Sequence, residues 1–170
     1  SGDLNGDDES EAFDDNSWHV VTRAGFGSCT LDGFIIEGGN ATDALPITTR
    51  GGGGVRCTSG TTLVASCVFR NNRAGHGGGA YLTGDSITVR DCEFVSNMAA
   101  TSGGGVNVLA PARIEDCRFE DNQGGAGGAA VNSATLVRCV FENNTGSLAG
   151  ALYSSGGSLL ENTVACESCV

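Results

Sequence analysis

One motif is written four times in this chain and limits what the chain can fold into. Its frame is C-x-F-x-x-N, and its copies occupy residues 67–72, 92–97, 117–122 and 139–144. The cysteines are 25, 25 and 22 residues apart, and the asparagines repeat with the same steps. A repeat of this length is typical of coils that bury their apolar faces by stacking on one another. We therefore predict a solenoid.

The apolar residues of each repeat predict which side chains face the core. The Cys and the Phe of the motif are two positions apart, and this spacing places both on one face of a strand. An apolar residue also stands three positions before each cysteine, and a small one follows each glycine cluster. These positions are Val64, Val89, Ile114 and Leu136 before the cysteines, and Ala80, Val106, Ala129 and Ala151 after the glycines. The pattern predicts three short strands per coil.

The repeat continues in a weaker form on both sides of the four full copies. In the earlier copy, Phe34 occupies the cysteine position and Ile36 the phenylalanine position. In the later copy, Asn162 and Val164 occupy the same two positions. The longer step after the earlier copy predicts a loop over residues 41–50.

The asparagine of the motif is expected at a corner between strands. Asn tolerates a left-handed backbone better than most residues, and its side-chain amide both donates and accepts hydrogen bonds along a stack. The predicted asparagine ladder consists of Asn72, Asn97, Asn122 and Asn144.

Charged residues on the outward positions indicate the register of the coils. In stacked coils Glu93 and Arg118 are expected to be neighbours of opposite sign, as are Arg90 and Glu115. Exposed pairs of this kind contribute only about 0.2–1 kcal/mol each. They nevertheless oppose a slip of one coil, so we interpret them as register marks and not as a catalytic site.

Composition excludes several functions. The chain has 20 acidic and 9 basic residues, a net charge of −11, which repels nucleic-acid phosphates and anionic lipid. It has no run of about 18 apolar residues that would span a membrane. Eight cysteines without the paired C-x-x-C pattern of a zinc site favour an oxidising compartment. We predict an extracellular or cell-surface protein with no nucleic-acid partner and no membrane insertion.

The first 17 residues predict an acidic N-terminal arm or cap ahead of the repeat domain, which we place at residues 18–170. Oxygen-bearing side chains in this arm match the spacing of a twelve-residue calcium loop. The candidate ligands are Asp3, Asn5, Asp7, Glu9 and Asp14. Asp8 stands where such a loop needs a glycine, so a solvated acidic arm is the alternative. Calcium is the one cofactor that the sequence indicates.

A short aromatic and β-branched run over residues 18–22 predicts the first strand. His19 lies within this run. We expect it to be half-buried in the sheet and not to bind a metal, because no second His or Cys stands at ligand spacing.

The eight cysteines form two groups. The motif cysteines are Cys67, Cys92, Cys117 and Cys139, and the others are Cys29, Cys57, Cys166 and Cys169. Cα atoms one coil apart are about 4.8 Å from each other, within the range for a disulfide. We favour the pairs Cys67–Cys92 and Cys117–Cys139, with a reduced thiol stack as the alternative. The second group is expected near the ends of the solenoid, where ties to neighbouring subunits would form.

The pairing of Gly-Gly-apolar clusters with F-x-x-N resembles the polymorphic outer membrane protein repeats of surface autotransporters. More broadly, it resembles the glycine-rich right-handed parallel β-helix repeats of large secreted bacterial proteins. The opening residues 1–7 and 16–21 also resemble the start of such domains. The resemblance implies an all-β, single-domain right-handed parallel β-helix of about six coils. Members of these families carry many more repeats, with a membrane barrel or a sorting tail.

The ends of a β-helix expose unpaired strand edges, which natural solenoids cover or charge. The sequence shows no amphipathic capping segment after the last repeat, so we expect the open edge to be either a truncation or an interface. Our leading hypothesis is a structural protein, not an enzyme, that stacks head to tail with itself into a surface or matrix filament.

The sequence leaves two alternatives to the filament. One is a β-helix that binds or cleaves polysaccharide, with glycans as partners, and the other is an adhesin fragment of a larger surface protein. Asp91 and Asp116 occupy one position in adjacent coils. We interpret them as a solvated like-charge pair and not as an acid–base dyad.

Overall fold

The computed structural model describes residues 1–3, 16–25, 27–42, 50–131 and 133–165. Within these ranges the regular secondary structure consists of short β-strands, which follow one another in the same order in every coil. We number the strands along the chain and call the coil that begins with β1 the first coil.

The first three coils contain β1 (Val21–Arg23), β2 (Cys29–Asp32), β3 (Ile35–Glu37), β4 (Asn40–Ala41), β5 (Val55–Cys57), β6 (Thr61–Ala65), β7 (Val68–Arg70), β8 (Arg73–Ala74), β9 (Ala80–Leu82), β10 (Ser86–Arg90), β11 (Glu93–Val95) and β12 (Met98–Ala99). The next two coils contain β13 (Gly103–Val108), β14 (Ala112–Glu115), β15 (Arg118–Glu120), β16 (Gln123–Gly124), β17 (Gly127–Val131), β18 (Ala134–Val137), β19 (Val140–Glu142) and β20 (Thr145–Gly146). The last coil contains β21 (Leu152–Ser154), β22 (Gly157–Leu160) and β23 (Thr163–Ala165).

Strands one coil apart pair in parallel and build four sheets along the solenoid axis. Three of these sheets have six strands, in the orders β1-β5-β9-β13-β17-β21, β2-β6-β10-β14-β18-β22 and β3-β7-β11-β15-β19-β23. The fourth has five strands, in the order β4-β8-β12-β16-β20. The fold is a parallel β-helix, as predicted. The two-residue strands of the fourth sheet are an addition to the three predicted per coil, because two residues are too few to show a period in sequence.

A stack of aromatic rings runs through the core. Phe69, Phe94, Phe119 and Phe141 pack face to face, with ring centroids 4.7, 4.9 and 4.8 Å apart and planes within 6° of parallel. All four are fully buried. Their spacing equals the distance between paired strands, so one buried ring per coil follows directly from the in-register repeat.

The outward charges have the predicted register but not the predicted ion pairs. Glu93 is the strand partner of Arg118, and Arg90 is the partner of Glu115. The guanidinium of Arg118, however, contacts the carboxylate of Glu142 in the following coil. Glu142 lies diagonally across the strand pair, and a long arginine side chain reaches such a diagonal neighbour.

Left-handed backbone occurs one residue earlier than predicted. The residues with positive φ are those directly before the ladder asparagines: Asn71, Ser96, Asp121 and Asn143, with φ between 51° and 54°. A second left-handed corner precedes the cysteine position, at Ser66, Asp91, Asp116, Arg138 and Glu161. The ladder asparagines are therefore fixed by side-chain hydrogen bonding and not by an unusual backbone.

In the last coil, the residue that continues the ladder behind the glycine clusters is not the predicted one. Val106 pairs with Ala80 and with Ala129, as expected. Ala129 then pairs with Leu152 and not with Ala151. The turn before this ladder differs in length from coil to coil, and this moves the inward position by one residue.

The start of the solenoid departs from the predictions at three points. The first strand is Val21–Arg23, later than the predicted 18–22, although His19 is half-buried as expected. Ile36 stacks on Phe69 and is buried, whereas Phe34 is 55% exposed, so apolar bulk is kept inside at only one of the two positions. In the predicted loop over 41–50, Ala41 belongs to β4, and residues 43–49 lie outside the described residues.

Candidate functional site

The motif asparagines form a continuous hydrogen-bonded ladder inside the solenoid. The Nδ2 group of Asn72 donates to the carbonyl oxygen of Ile36 at 2.9 Å and to Oδ1 of Asn97 at 3.0 Å. Asn97 makes the same two contacts, with the carbonyl oxygen of Phe69 at 2.8 Å and with Oδ1 of Asn122 at 3.1 Å. All are buried, so this polar row satisfies the corner and leaves no amide available to a ligand.

The motif cysteines form a second internal row. The thiol of Cys67 donates to the carbonyl oxygen of Ala65 at 3.1 Å, and the thiols of Cys92 and Cys117 make the equivalent contact at the same distance. Burial raises the pKa of the Cys67 thiol. The six described cysteines are free thiols in this structure. The Cys67–Cys92 and Cys117–Cys139 bridges stay predictions.

Two of the remaining cysteines meet each other inside the chain. Sγ of Cys29 lies 3.6 Å from Sγ of Cys57. Cys57 is fully buried, and burial raises its pKa to about 12. The expectation that Cys57 is available to tie neighbouring subunits together is therefore wrong, because its sulfur faces the interior. Cys166 and Cys169 lie outside the described residues.

The predicted calcium loop is described only at its first residue. The backbone N–H of Asp3 donates to the hydroxyl oxygen of Ser1 at 3.1 Å, while Asn5, Asp7, Glu9 and Asp14 lie outside the described residues. Among the residues that the structure describes, no group of three or more His, Cys, Asp or Glu side chains is arranged to hold a metal ion. Calcium binding stays a prediction.

Asp91 and Asp116, which directly precede two of the motif cysteines, each form an ion pair with an arginine. Arg138 donates to both carboxylate oxygens of Asp116, at 2.7 and 2.6 Å, and this hydrogen bonding lowers the pKa of Asp116. Arg90 donates to Asp91 at 2.9 Å. Because Asp116 is held ionised by Arg138, it is a poor proton donor, and the geometry favours surface ion pairs over an acid–base dyad.

The last coil leaves inward-facing apolar side chains uncovered. Leu159 and Val164 are 57% and 60% exposed, whereas their partners one coil earlier, Leu136 and Phe141, are fully buried. Leu160 is exposed beside them. We call the surface formed by Leu159, Leu160 and Val164 the C-terminal face. Strands β21, β22 and β23 are the terminal strands of their sheets, so the face combines apolar side chains with strand edges.

The opposite end of the solenoid differs from the C-terminal face. Leu31 and Ile36, the equivalent inward residues of the first coil, are buried. The backbone N–H of Gly2 donates to the carbonyl oxygen of Glu37 at 2.7 Å, and that of Asn40 donates to Ser17 at 2.9 Å. Residues near the N-terminus therefore pair with part of the first-coil edge.

A groove of about 440 Å³ runs along the lateral surface from His76, after the second coil's β8, to Tyr153 in the last coil. Nδ1 of His76 is 2.7 Å from the hydroxyl oxygen of Thr101 and 3.3 Å from that of Ser102. The ring of Tyr153 and the side chain of Asn107 also line the groove. The site therefore presents an aromatic ring, hydroxyls and an imidazole to one ligand volume.

The four-sheet parallel architecture agrees with the comparison to known families. The family model described as a right handed beta helix region matches residues 12–166. The chain belongs to the right-handed β-helix family. A search of the curated proteins and a search of the solved structures each give no match. β-Helix proteins include enzymes as well as structural proteins, so membership of the family does not define the function of this chain.

The surfaces of this β-helix differ in how far the sequence predicts them. The C-terminal face follows from the repeat, because Asn162 and Val164 are recognisable in the motif positions. The lateral groove was not predicted. Its one signal is that His76 and Thr101 are 25 residues apart, which is one coil, and so meet side by side.

Among the described residues, the structure contains no helix with the length and hydropathy of a membrane span.

Proposed function

We propose that this β-helix is a structural, non-catalytic protein of the cell surface or extracellular matrix, and that its C-terminal face binds a second copy of the chain head to tail. The observation that carries the proposal is the exposure of Leu159 and Val164 at positions that are fully buried in the preceding coil. A further coil stacked on this face continues both inward ladders.

The energetics favour assembly that depends on concentration. Full burial of one such side chain contributes about 1.5–3 kcal/mol, and the three residues of the C-terminal face are already about half covered. The resulting few kcal/mol are offset in part by the entropy of association. Main-chain hydrogen bonds along the edges of β21, β22 and β23 add to the apolar contribution.

The receiving surface in this arrangement is the first coil together with the residues that pair with it. Phe34 in this coil has more than half of its surface exposed. Gly2 and Ser17 occupy part of the edge, so an incoming coil contacts them as well as β1 and β2. The two ends are different surfaces, and a contact between them repeats in one direction into a filament.

The charge and the cysteine content support a location outside the cell. Copies with a net charge of −11 repel one another at low ionic strength, and this repulsion is screened at physiological salt. Eight cysteines suit an oxidising environment. The likeness of the Gly-Gly-apolar and F-x-x-N repeat to outer membrane protein repeats supports the same location.

A substitution pair in β22 tests the filament. Leu159→Glu places a charge on the C-terminal face, and Ser158→Glu places the same charge on the neighbouring outward position, where the residue is also exposed. We expect the native chain and Ser158→Glu to form elongated particles, visible by negative-stain microscopy and light scattering, and Leu159→Glu to stay at 17.1 kDa. A native chain that stays monomeric at high concentration and moderate salt, or equal assembly of the two variants, contradicts the proposal.

The lateral groove supports polysaccharide binding as the second candidate function. An aromatic ring beside convergent hydroxyl groups suits the alternating apolar and polar faces of a sugar, and Tyr153, Thr101 and His76 supply these groups here. A glycan array with the native chain and Tyr153→Ala, together with a reducing-sugar assay, tests binding and cleavage separately. Binding that Tyr153→Ala abolishes supports this candidate, and a native chain that binds none of the glycans contradicts it.

An adhesin fragment of a larger surface protein is the remaining alternative. In that case further coils of the same chain cover the C-terminal face. Leu159→Glu then leaves particle size unchanged, because the isolated chain is already monomeric. The light-scattering experiment therefore separates this alternative from the filament.

A further inference from the structure

Two cysteines distant in sequence lie together at the start of the β-helix. Cys29 begins β2 in the first coil and Cys57 ends β5 in the second coil. Their Sγ atoms are 3.6 Å apart although the residues are 28 positions apart in the chain. The approach is therefore made by the fold and not by local sequence.

The motif thiols have backbone partners in addition to their neighbouring sulfurs. Each motif thiol donates to a backbone carbonyl oxygen two residues before it, as Cys92 does to Arg90 at 3.1 Å. Cys29 and Cys57 contact each other through their sulfurs. Cys57 is fully buried and Cys29 is partly exposed, so an oxidant in solvent has access to one sulfur of the pair.

We propose that Cys29 and Cys57 form an intrachain disulfide that joins the first coil to the second. The two sulfurs need to approach by about 1.6 Å to reach the disulfide bond length of about 2.0 Å. This bond closes a loop that contains most of the first coil. Strands β1 and β2 are terminal in their sheets, and a terminal coil has a neighbour on one side only.

The oxidation proceeds by exchange with a disulfide such as oxidised glutathione. The partly exposed Cys29, as thiolate, attacks one sulfur of the oxidant, displaces a thiolate and forms a mixed disulfide. Cys57, as thiolate, then attacks Sγ of Cys29 and displaces the second thiolate. Two cysteine thiols lose two protons and two electrons, and the oxidant takes them up as two thiols. Burial raises the pKa of Cys57 to about 12, so the second step is slow in the folded chain.

Peptide mapping tests the bond directly. The full chain is equilibrated with oxidised glutathione, alkylated, and digested with trypsin and chymotrypsin without reduction. Cleavage at aromatic, leucine and arginine residues releases Cys29 in peptide 27–31 and Cys57 in peptide 57–63, separate from Cys67. We expect these two peptides to be joined in material that runs as a monomer on a non-reducing gel. Both peptides alkylated at equilibrium, or Cys29 joined to another cysteine, overturns the proposal.

A stability measurement gives an independent test. In a Cys166→Ser/Cys169→Ser background, the melting temperature of oxidised protein is compared with that of reduced protein. We expect oxidation to raise it by several degrees, because the bond restricts the unfolded chain. With Cys67, Cys92, Cys117 and Cys139 also replaced by Ala in the parent, Cys57→Ala removes this difference, and each variant serves as its own reference. No redox-dependent difference in the parent contradicts the proposal.

Discussion

Asn97 accepts two hydrogen bonds from Asn72 through one side-chain oxygen, from the backbone N–H at 3.1 Å and from Nδ2 at 3.0 Å. Its own Nδ2 donates to the carbonyl oxygen of Phe69 at 2.8 Å. A single buried amide thus satisfies three groups of the preceding coil. The ladder joins neighbouring coils through polar contacts at the corner where the backbone leaves its sheet.

Replacing Asn97 by Ala is expected to destabilise the protein strongly. The change leaves two buried donors of Asn72 and the carbonyl oxygen of Phe69 without these partners, and each buried unsatisfied group costs about 1–3 kcal/mol. We expect a loss of about 3 kcal/mol or more, measured by urea unfolding. Ser96→Gly is the control: Ser96 is exposed with φ 53°, which glycine adopts freely, so its stability should stay close to that of the native chain. Equal unfolding midpoints for Asn97→Ala and the native chain would contradict the role of the ladder.

Replacing Phe94 by Ala tests the aromatic stack. Phe94 lies between Phe69 and Phe119 and is fully buried, so removal of its ring leaves a cavity that typically costs about 3–5 kcal/mol. Phe34→Ala removes the same group from a position that is 55% exposed and should cost less than about 1 kcal/mol. Thermal and urea unfolding measure both variants. A similar loss for the two would show that the central ring has no special place in the core.

Replacing Gly78 by Ala tests the close approach of successive coils. A Cβ atom at Gly78 would lie 2.3 Å from the carbonyl oxygen of Met98, so the backbone must move. Overpacking of this kind costs about 1–3 kcal/mol. A Cβ atom at Gly156 meets nothing closer than 3.7 Å, and Gly156→Ala should leave the free energy of unfolding nearly unchanged. If Gly78→Ala is equally neutral, the glycine clusters have a role other than close packing.

The stability of the protein is expected to fall in mild acid because of His19. Burial lowers the pKa of His19, whose Nδ1 lies 2.8 Å from the carbonyl oxygen of Gly52. The folded state therefore binds a proton less readily than the unfolded state. This contribution to stability is complete above the unfolded pKa of about 6.5 and is lost as pH falls through the lower, folded pKa.

His19→Asn isolates this effect, because Asn keeps a donor for Gly52 but does not titrate. Urea unfolding at a series of pH values should show a steeper acid loss for the native chain than for the variant. An NMR titration of the His19 ring gives the folded pKa independently. Parallel pH profiles for the two proteins, or an NMR value above 6.5, would contradict the assignment.

The parts of this fold that the sequence predicts are those where one residue type recurs at one position. The Phe and Asn of the motif, such as Phe94 and Asn97, recur in every full copy, and alternation and spacing predict their burial. The left-handed corner lies one residue before the position that the sequence predicts. Its residues, Ser96 and the equivalents, differ in type and only some are asparagine, so no single residue type marks the corner. Backbone conformation there is set by the coil geometry, which overrides the weak preference of the individual residue.

The contacts between positions of different repeat phase were not predictable. Cys29 and Cys57 stand at unrelated places in their coils, so only the packing of β2 against the end of β5 reveals the contact of their sulfurs. The lateral groove has the same origin, since its residues come from several coils. A single sequence predicts well which residues stack on one another from coil to coil. It predicts poorly which side chains from different positions of the repeat come into contact.

Phe94 makes near-identical contacts with Phe69 and with Phe119, so one coil can be duplicated or deleted as a unit. Duplication of the 25 codons for such a coil adds one ring, one thiol and one amide together, and deletion removes them together. The new junction has the same chemistry as the old one. Genes of this kind are expected to vary in length by whole coils between related strains. The distance between the two ends of the molecule then changes in steps of about 4.8 Å, while the chemistry of each end is preserved.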